Sequence, residues 1–235
     1  MYSIKGTTTK TEQMFLKKQV SVILILFISS CSEQNSAEHH SQVENELIAL
    51  STVDASILQE IRYTGTNNFL GRPVNGYKDV NDILIQPVAA QALKKAQAEL
   101  NDQQLSLLVF DAYRPQIAVD HFVEWSLLSE DTLMKAEYYP DFEKPELFEQ
   151  GYIARESSHT TGYTVDLTLI DLSTGLELDM GSPFDFFGPI SHHGAPGLSP
   201  KQELNRILLR STLEHHGFTA YEKEWWHYRF VPVVE

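Results

Sequence analysis

Two short segments carry residues whose types and spacing could do metal chemistry. The first is Ser157-Ser158-His159-Thr160-Thr161-Gly162-Tyr163-Thr164-Val165-Asp166. His159 precedes a turn marked by Gly162, and Asp166 lies on the polar side of a run in which Tyr163, Val165, Leu167 and Leu169 alternate with polar residues. A carboxylate in such a strand is costly unless something compensates it. A divalent cation does so, and a structural salt bridge is the competing explanation. The second segment is Glu224-Trp225-Trp226-His227, where large rings can exclude water and hold a ligand rigid. Its plainer reading is a core aromatic strand with an edge glutamate and a satisfied histidine. Together the two segments complete a site. His159, Asp166 and His227 supply the two imidazoles and one carboxylate of a catalytic zinc, whose fourth position stays open for water. Glu224 is left over as general base, because zinc lowers the pKa of its water to ~7 and a carboxylate then takes the proton. The helical His-Glu-x-x-His zinc motif is not in the sequence.

These residues need a scaffold, and much of it is legible. Residues 87–100 are rich in helix formers, with Pro87 suited to a first turn. Residues 105–110 are a short apolar run, read as a buried strand, and 115–128 form a second helix opened by Pro115. The alternation over 163–170 predicts a strand with one apolar face. Ser199-Pro200-Lys201-Gln202 is a capping box, opening a helix that runs to His216 and stops at Gly217. Residues 218–234 are aromatic and β-branched, hence strand-like. Helices and strands mix without regular βαβ alternation, which predicts a single α+β domain with a mainly antiparallel sheet flanked by helices and the zinc site at the sheet.

With these residues in place a resemblance becomes specific. Ser157-x-His159-x-x-Gly162-x-x-x-Asp166 followed by Glu224-x-Trp226-His227 resembles the paired signature of the D-alanyl-D-alanine dipeptidases, the VanX-like branch of the zinc D-Ala-D-Ala metallopeptidases. Asn68-Phe69-x-Gly71-Arg72-Pro73-Val74-x-Gly76-Tyr77, Asp111-Ala112-Tyr113-Arg114-Pro115, Met180-Gly181-Ser182-x-Phe184-Asp185-Phe186 and Ser191-His192-His193 resemble further stretches of that branch, in order, over residues 55–229. The resemblance implies one zinc on His159, Asp166 and His227, Glu224 as the base that then protonates the leaving amine, and Arg114 as stabiliser of the oxyanion. It places Tyr63 and Asp185 near the free amine of the substrate, and Ser157 near the substrate. Thr164 stands where the family commonly has alanine, and Ala112 where glycine is frequent.

Charge and the N-terminus bound the setting. The formal charge of the 235 residues is −14, and residues 1–30 hold four lysines and one glutamate, leaving −17 for the remainder. So acidic a chain repels phosphate backbones and excludes nucleic acid as a partner. Met14-Phe15-Leu16-Lys17-Lys18 followed by an apolar run over 20–28 has the form of an export signal, too short to span a bilayer. Ile28-Ser29-Ser30-Cys31 resembles a lipobox, and Cys31 is the only cysteine, so it forms no disulfide within the chain. The expected organisation is a lipoprotein signal peptide over 1–30, a flexible polar tether over 31–46 and a dipeptidase domain over 47–235. The expected protein is exported to the cell envelope and held to a membrane by lipid on Cys31.

The leading function is hydrolysis of the dipeptide D-Ala-D-Ala, for scavenging or cell-wall turnover. A D,D-carboxypeptidase or wall endopeptidase with the same zinc site is a second reading, and a zinc-stabilised binding protein without catalysis a third. The Tyr63, Arg114 and Asp185 segments favour a free dipeptide, and Glu224 favours catalysis, since a structural zinc needs no base.

Overall fold

The structure is a computed structural model that describes residues 47–232. The signal segment over 1–30, Cys31, the tether over 31–46 and the last three residues lie outside the described residues. Among the described residues no helix is long and apolar enough to cross a membrane.

Two long strands carry the domain. Strand β4 (Leu105–Asp111) is buried from its second residue onward, and β5 (Thr164–Asp171) is buried over all but its last. They pair antiparallel in the middle of a sheet whose order is β2 (Leu58–Gln59), β4, β5, β8 (His227–Phe230) and β7 (Phe218–Ala220), with β6 (Leu176–Glu177) added to the end of β5. Only the short β2–β4 pairing is parallel. Strands β1 (Ile48–Ala49) and β3 (Leu84–Ile85) form a separate antiparallel pair. Helix α1 (Pro87–Asn101) packs on β4 and on α5 (Pro200–His215), while α2 (Gln116–Ser126) follows β4 and packs on α4 (Lys144–Glu149); α3 (Lys135–Tyr138) is a single turn. This is the predicted α+β domain with a mainly antiparallel sheet.

Local chemistry sets the element ends. Pro87 opens α1, and the capping box at α5 is reciprocal: Ser199 Oγ accepts from Gln202 N at 3.3 Å while Gln202 Oε1 accepts from Ser199 N at 2.8 Å. Gly217 then ends the chain's helical course at φ +90°.

Two expectations change. The strand over 163–170 does not have one apolar and one solvated face, because Thr164, Asp166 and Thr168 are all buried. A strand in the middle of a sheet covered on both sides loses the polar-out half of the alternation. Of the segment over 218–234, the described part is not one strand. It is a hairpin, with Phe218 opposite Phe230 and Ala220 opposite Tyr228. The polar run Glu222-Lys223-Glu224 breaks it, the amide of Tyr221 closes on the His227 carbonyl at 2.9 Å, and Trp225 and Trp226 tuck inward from the turn. Glu224 therefore sits in the connection and His227 begins β8.

Candidate metal centre and substrate cleft

The register across three strands brings the ionisable groups together. Asp166 on β5 stands directly opposite His227 on β8 and opposite Asp111 at the end of β4. A register shift between Val109 and Asp111 re-aims Asp111 toward this point. Two acids facing each other in a buried sheet repel, so positive charge has to stand near. Arg114 supplies some of it. Its Nη2 lies 2.8 Å from Asp111 Oδ2 and 3.4 Å from Asp166 Oδ2, and its Nε donates to Asp111 Oδ2 at 2.9 Å.

His159 arrives from a different element. It lies in a single 3-10 turn, Ser158–Thr161, capped by the Ser157 hydroxyl, which accepts the His159 amide at 3.3 Å. The turn ends at Gly162, whose φ is +72°, and a Cβ there would come within 2.4 Å of Leu47 Cδ2. Left-handed backbone and crowding both call for glycine at this position. His159 Nδ1 is 2.7 Å from the Ala112 carbonyl. A carbonyl only accepts, so Nδ1 carries the proton and Nε2 presents its lone pair inward. That Nε2 is 3.3 Å from Asp166 Oδ2 and 3.4 Å from His227 Nδ1, and His227 Nδ1 is 3.2 Å from Asp166 Oδ1.

These three residues fit a metal ion. One ligand atom from each of His159, Asp166 and His227 lies within 4.8 Å of the others. Asp166 Oδ1 is buried and accepts no aligned hydrogen bond, its 3.2 Å contact with His227 Nδ1 included, although a buried acceptor of this kind costs free energy. Burial alone would raise the Asp166 carboxyl, but the His159 and His227 imidazoles outweigh it and hold the group well below the usual carboxylate range. Two imidazoles and an ionised carboxylate are the donor set of a catalytic zinc.

Glu224 stands beside this triad without being part of it. Its Oε2 is 3.4 Å from His227 Nδ1 and its side chain is 11% exposed. Burial pushes its carboxyl up to about 7, against the opposing pull of His227, in the range where a general base works best near neutral pH.

Away from the triad the cleft has a second polar pole. Tyr63 Oη donates to Asp185 Oδ2 at 2.9 Å, both residues being buried. Burial raises the Asp185 carboxyl well above its ordinary value, and its backbone adopts φ +61°, a left-handed conformation that aspartate tolerates better than most residues. The Arg114 guanidinium lies over the rings of Tyr63 and Phe122 at 5.2 and 5.1 Å, linking the two poles.

The eight metal, catalytic and substrate residues read from the sequence, Tyr63, Arg114, Ser157, His159, Asp166, Asp185, Glu224 and His227, line one cleft of about 250 Å³. That is smaller than the ~300–1,000 Å³ usual for drug-sized ligands. Arg114 is turned into the cleft wall. Sequence reasoning missed Asp111, which is fully buried, orients Arg114 and accepts from Tyr77 Oη at 2.6 Å. Its signal was present: an acid closing an otherwise apolar strand. It also missed the Ala112 carbonyl that orients His159, and Ser158, whose Oγ is 3.4 Å from His227 Nε2.

A buried two-histidine, one-carboxylate triad with an adjoining free carboxylate, set in a small cleft of an α+β domain, is the layout of a metallopeptidase. Residues 43–232 match the peptidase family described as D-ala-D-ala dipeptidase. The chain is 42% identical over 189 residues to a D-alanyl-D-alanine dipeptidase of Enterococcus faecalis, covering 80% of this chain and 93% of that protein. It is 44% identical over 169 residues to a D-alanyl-D-alanine dipeptidase of Enterococcus faecium, covering 72% and 83%. A solved D,D-pentapeptidase VanY in complex with Zn(II) shares 17% identity over 68% of this chain and 84% of that one, with a TM-score of 0.38; this distant likeness carries no part of the argument. The chain belongs to the D-Ala-D-Ala dipeptidase family of zinc metallopeptidases.

Proposed function

We propose that the protein hydrolyses the free dipeptide D-Ala-D-Ala to two molecules of D-alanine with one zinc ion held by His159, Asp166 and His227. The observation that carries this reading is the pairing, within one small cleft, of the triad and Glu224 with the buried Asp185–Tyr63 pole. Zinc, when bound, supplies Lewis acidity to the scissile carbonyl and to water. Glu224 takes the proton of the attacking water and delivers it to the amine as the peptide C–N bond breaks. Arg114, fixed by Asp111, donates to the oxyanion that develops on the carbonyl. Asp185 and Tyr63 receive the substrate ammonium, and Ser157 lies on the cleft wall within reach of the same small molecule.

The metal assignment has a direct check. His159→Ala and His227→Ala should each lose most of the bound zinc and some stability, because Asp166 is left buried beside Asp111 with its compensating charge weakened. Metal analysis of the purified variants reads this, and full zinc occupancy in His227→Ala would show that the ligand set is wrong.

Substrate length is set at the other pole. N-Acetyl-D-Ala-D-Ala lacks the ammonium and adds bulk against Asp185. Leaving a buried acid without its partner costs on the order of 1–3 kcal/mol, or about tenfold to a hundredfold in kcat/KM. Competition between the acetylated and free dipeptides measures this. Equal efficiency on both would move the reading to a D,D-carboxypeptidase or wall endopeptidase.

The same proposal places the enzyme outside the cytoplasm, anchored by lipid on Cys31. The support is the sequence alone: two lysines, an apolar run and Ser29-Ser30-Cys31. An exported dipeptidase meets dipeptide released from the wall, so scavenging or wall turnover is the role that follows. In detergent partitioning, wild type should enter the detergent phase and Cys31→Ser should not be anchored. Aqueous partitioning of both would leave ordinary secretion.

A further inference from the structure

Two histidines that take no part in the cleft converge on one carboxylate. His215 Nδ1 lies 3.1 Å and His216 Nε2 2.9 Å from the same oxygen, Glu99 Oε2. One ligand atom from each of the three residues lies within 4.8 Å of the others. Neighbouring residues of a regular helix do not face each other. Here the backbone leaves helical geometry at His216, with φ −100° and ψ +18°, and the two rings stack at 4.7 Å with planes 28° apart.

The electrostatics of the place call for a cation. Glu99 lies in the last turn of α1, and His215 is the last residue of α5. Both helices thus turn the negative ends of their dipoles toward the cluster. A carboxylate there has the wrong sign for its helix end, and α1 has no basic residue in its last turn. Both imidazoles reach the one oxygen Glu99 Oε2, and a divalent ion held between the three side chains would satisfy that oxygen and supply positive charge to both helix ends. Two imidazole nitrogens and a carboxylate suit zinc and its late first-row neighbours, and suit magnesium or calcium poorly. The His216 side chain is 14% exposed, Glu99 37% and His215 72%. The cluster is therefore held on one side and open to solvent on the other.

We propose that Glu99, His215 and His216 form a second divalent-metal site, selective for zinc-like ions, that clips the C-terminal ends of α1 and α5 together and shares no residue with the catalytic triad. The test uses the full chain, stripped with chelator and dialysed against zinc. Wild type should bind one ion per chain more than Glu99→Gln and one more than His215→Ala/His216→Gln, whatever the catalytic site itself holds. Both variants should hydrolyse D-Ala-D-Ala at the wild-type rate, since neither alters the cleft. The additional ion should raise the thermal midpoint of wild type and not of the variants, because it binds only the folded arrangement of the two helices. Equal zinc content in wild type and both variants would overturn the proposal. So would loss of the additional ion when His39 and His40 are replaced by alanine, which would assign it to the segment before the domain.

Discussion

Glu224→Gln should leave zinc bound and the fold intact while kcat falls by about 10²–10⁴-fold, the contribution of a positioned general base. The geometry separates these two outcomes. Glu224 contacts His227 at 3.4 Å, and stands outside the group in which His159, Asp166 and His227 meet one another. Glutamine keeps the size and hydrogen bonding of the side chain and removes its ability to accept a proton. The backbone role of the residue, with Glu224 N bonded to Tyr221 O and His227 N to Glu224 O, is untouched. Zinc content and single-turnover hydrolysis on the same preparation give the answer. Loss of zinc would make Glu224 a ligand and require another base. Retention of both zinc and rate would remove the catalytic assignment of the Glu224-Trp225-Trp226-His227 segment, even though the chain remains a member of its family.

Arg114→Lys should lower kcat by about 10²–10³-fold, roughly 3–4 kcal/mol of barrier, with a much smaller change in KM. Lysine keeps the charge but loses what holds it in place. The guanidinium bonds Asp111 through both Nε and Nη2 while lying over Tyr63 and Phe122. An ammonium on a flexible stem has neither the planar fork nor the stacking surface. If Arg114 served only to neutralise Asp111 and Asp166, lysine would restore nearly full activity. A wild-type kcat in Arg114→Lys would therefore place the oxyanion donor elsewhere in the cleft.

The candidate site residues and most of the local structure are legible in residue type and spacing. His159 before Gly162, Asp166 in an alternating strand, and Glu224 three residues before His227 carry their information in type and spacing. So do Pro87 and the Ser199–Gln202 capping box, because caps and turns depend on neighbours within a few residues. How these pieces face one another depends on the closed fold. That Asp166 stands between Asp111 and His227 follows from strand register and the irregularity at Val109–Asp111, and register depends on pairing partners more than fifty residues apart. The full burial of Thr164 and Thr168, and the break of residues 218–230 into a hairpin, also depend on what covers the sheet. The same holds for Asp185, bonded to Tyr63 across the chain, and for Glu99, reached by His215 and His216 from another helix. Periodicity records which face of an element is apolar; which distant side chain meets it is fixed only when the core closes.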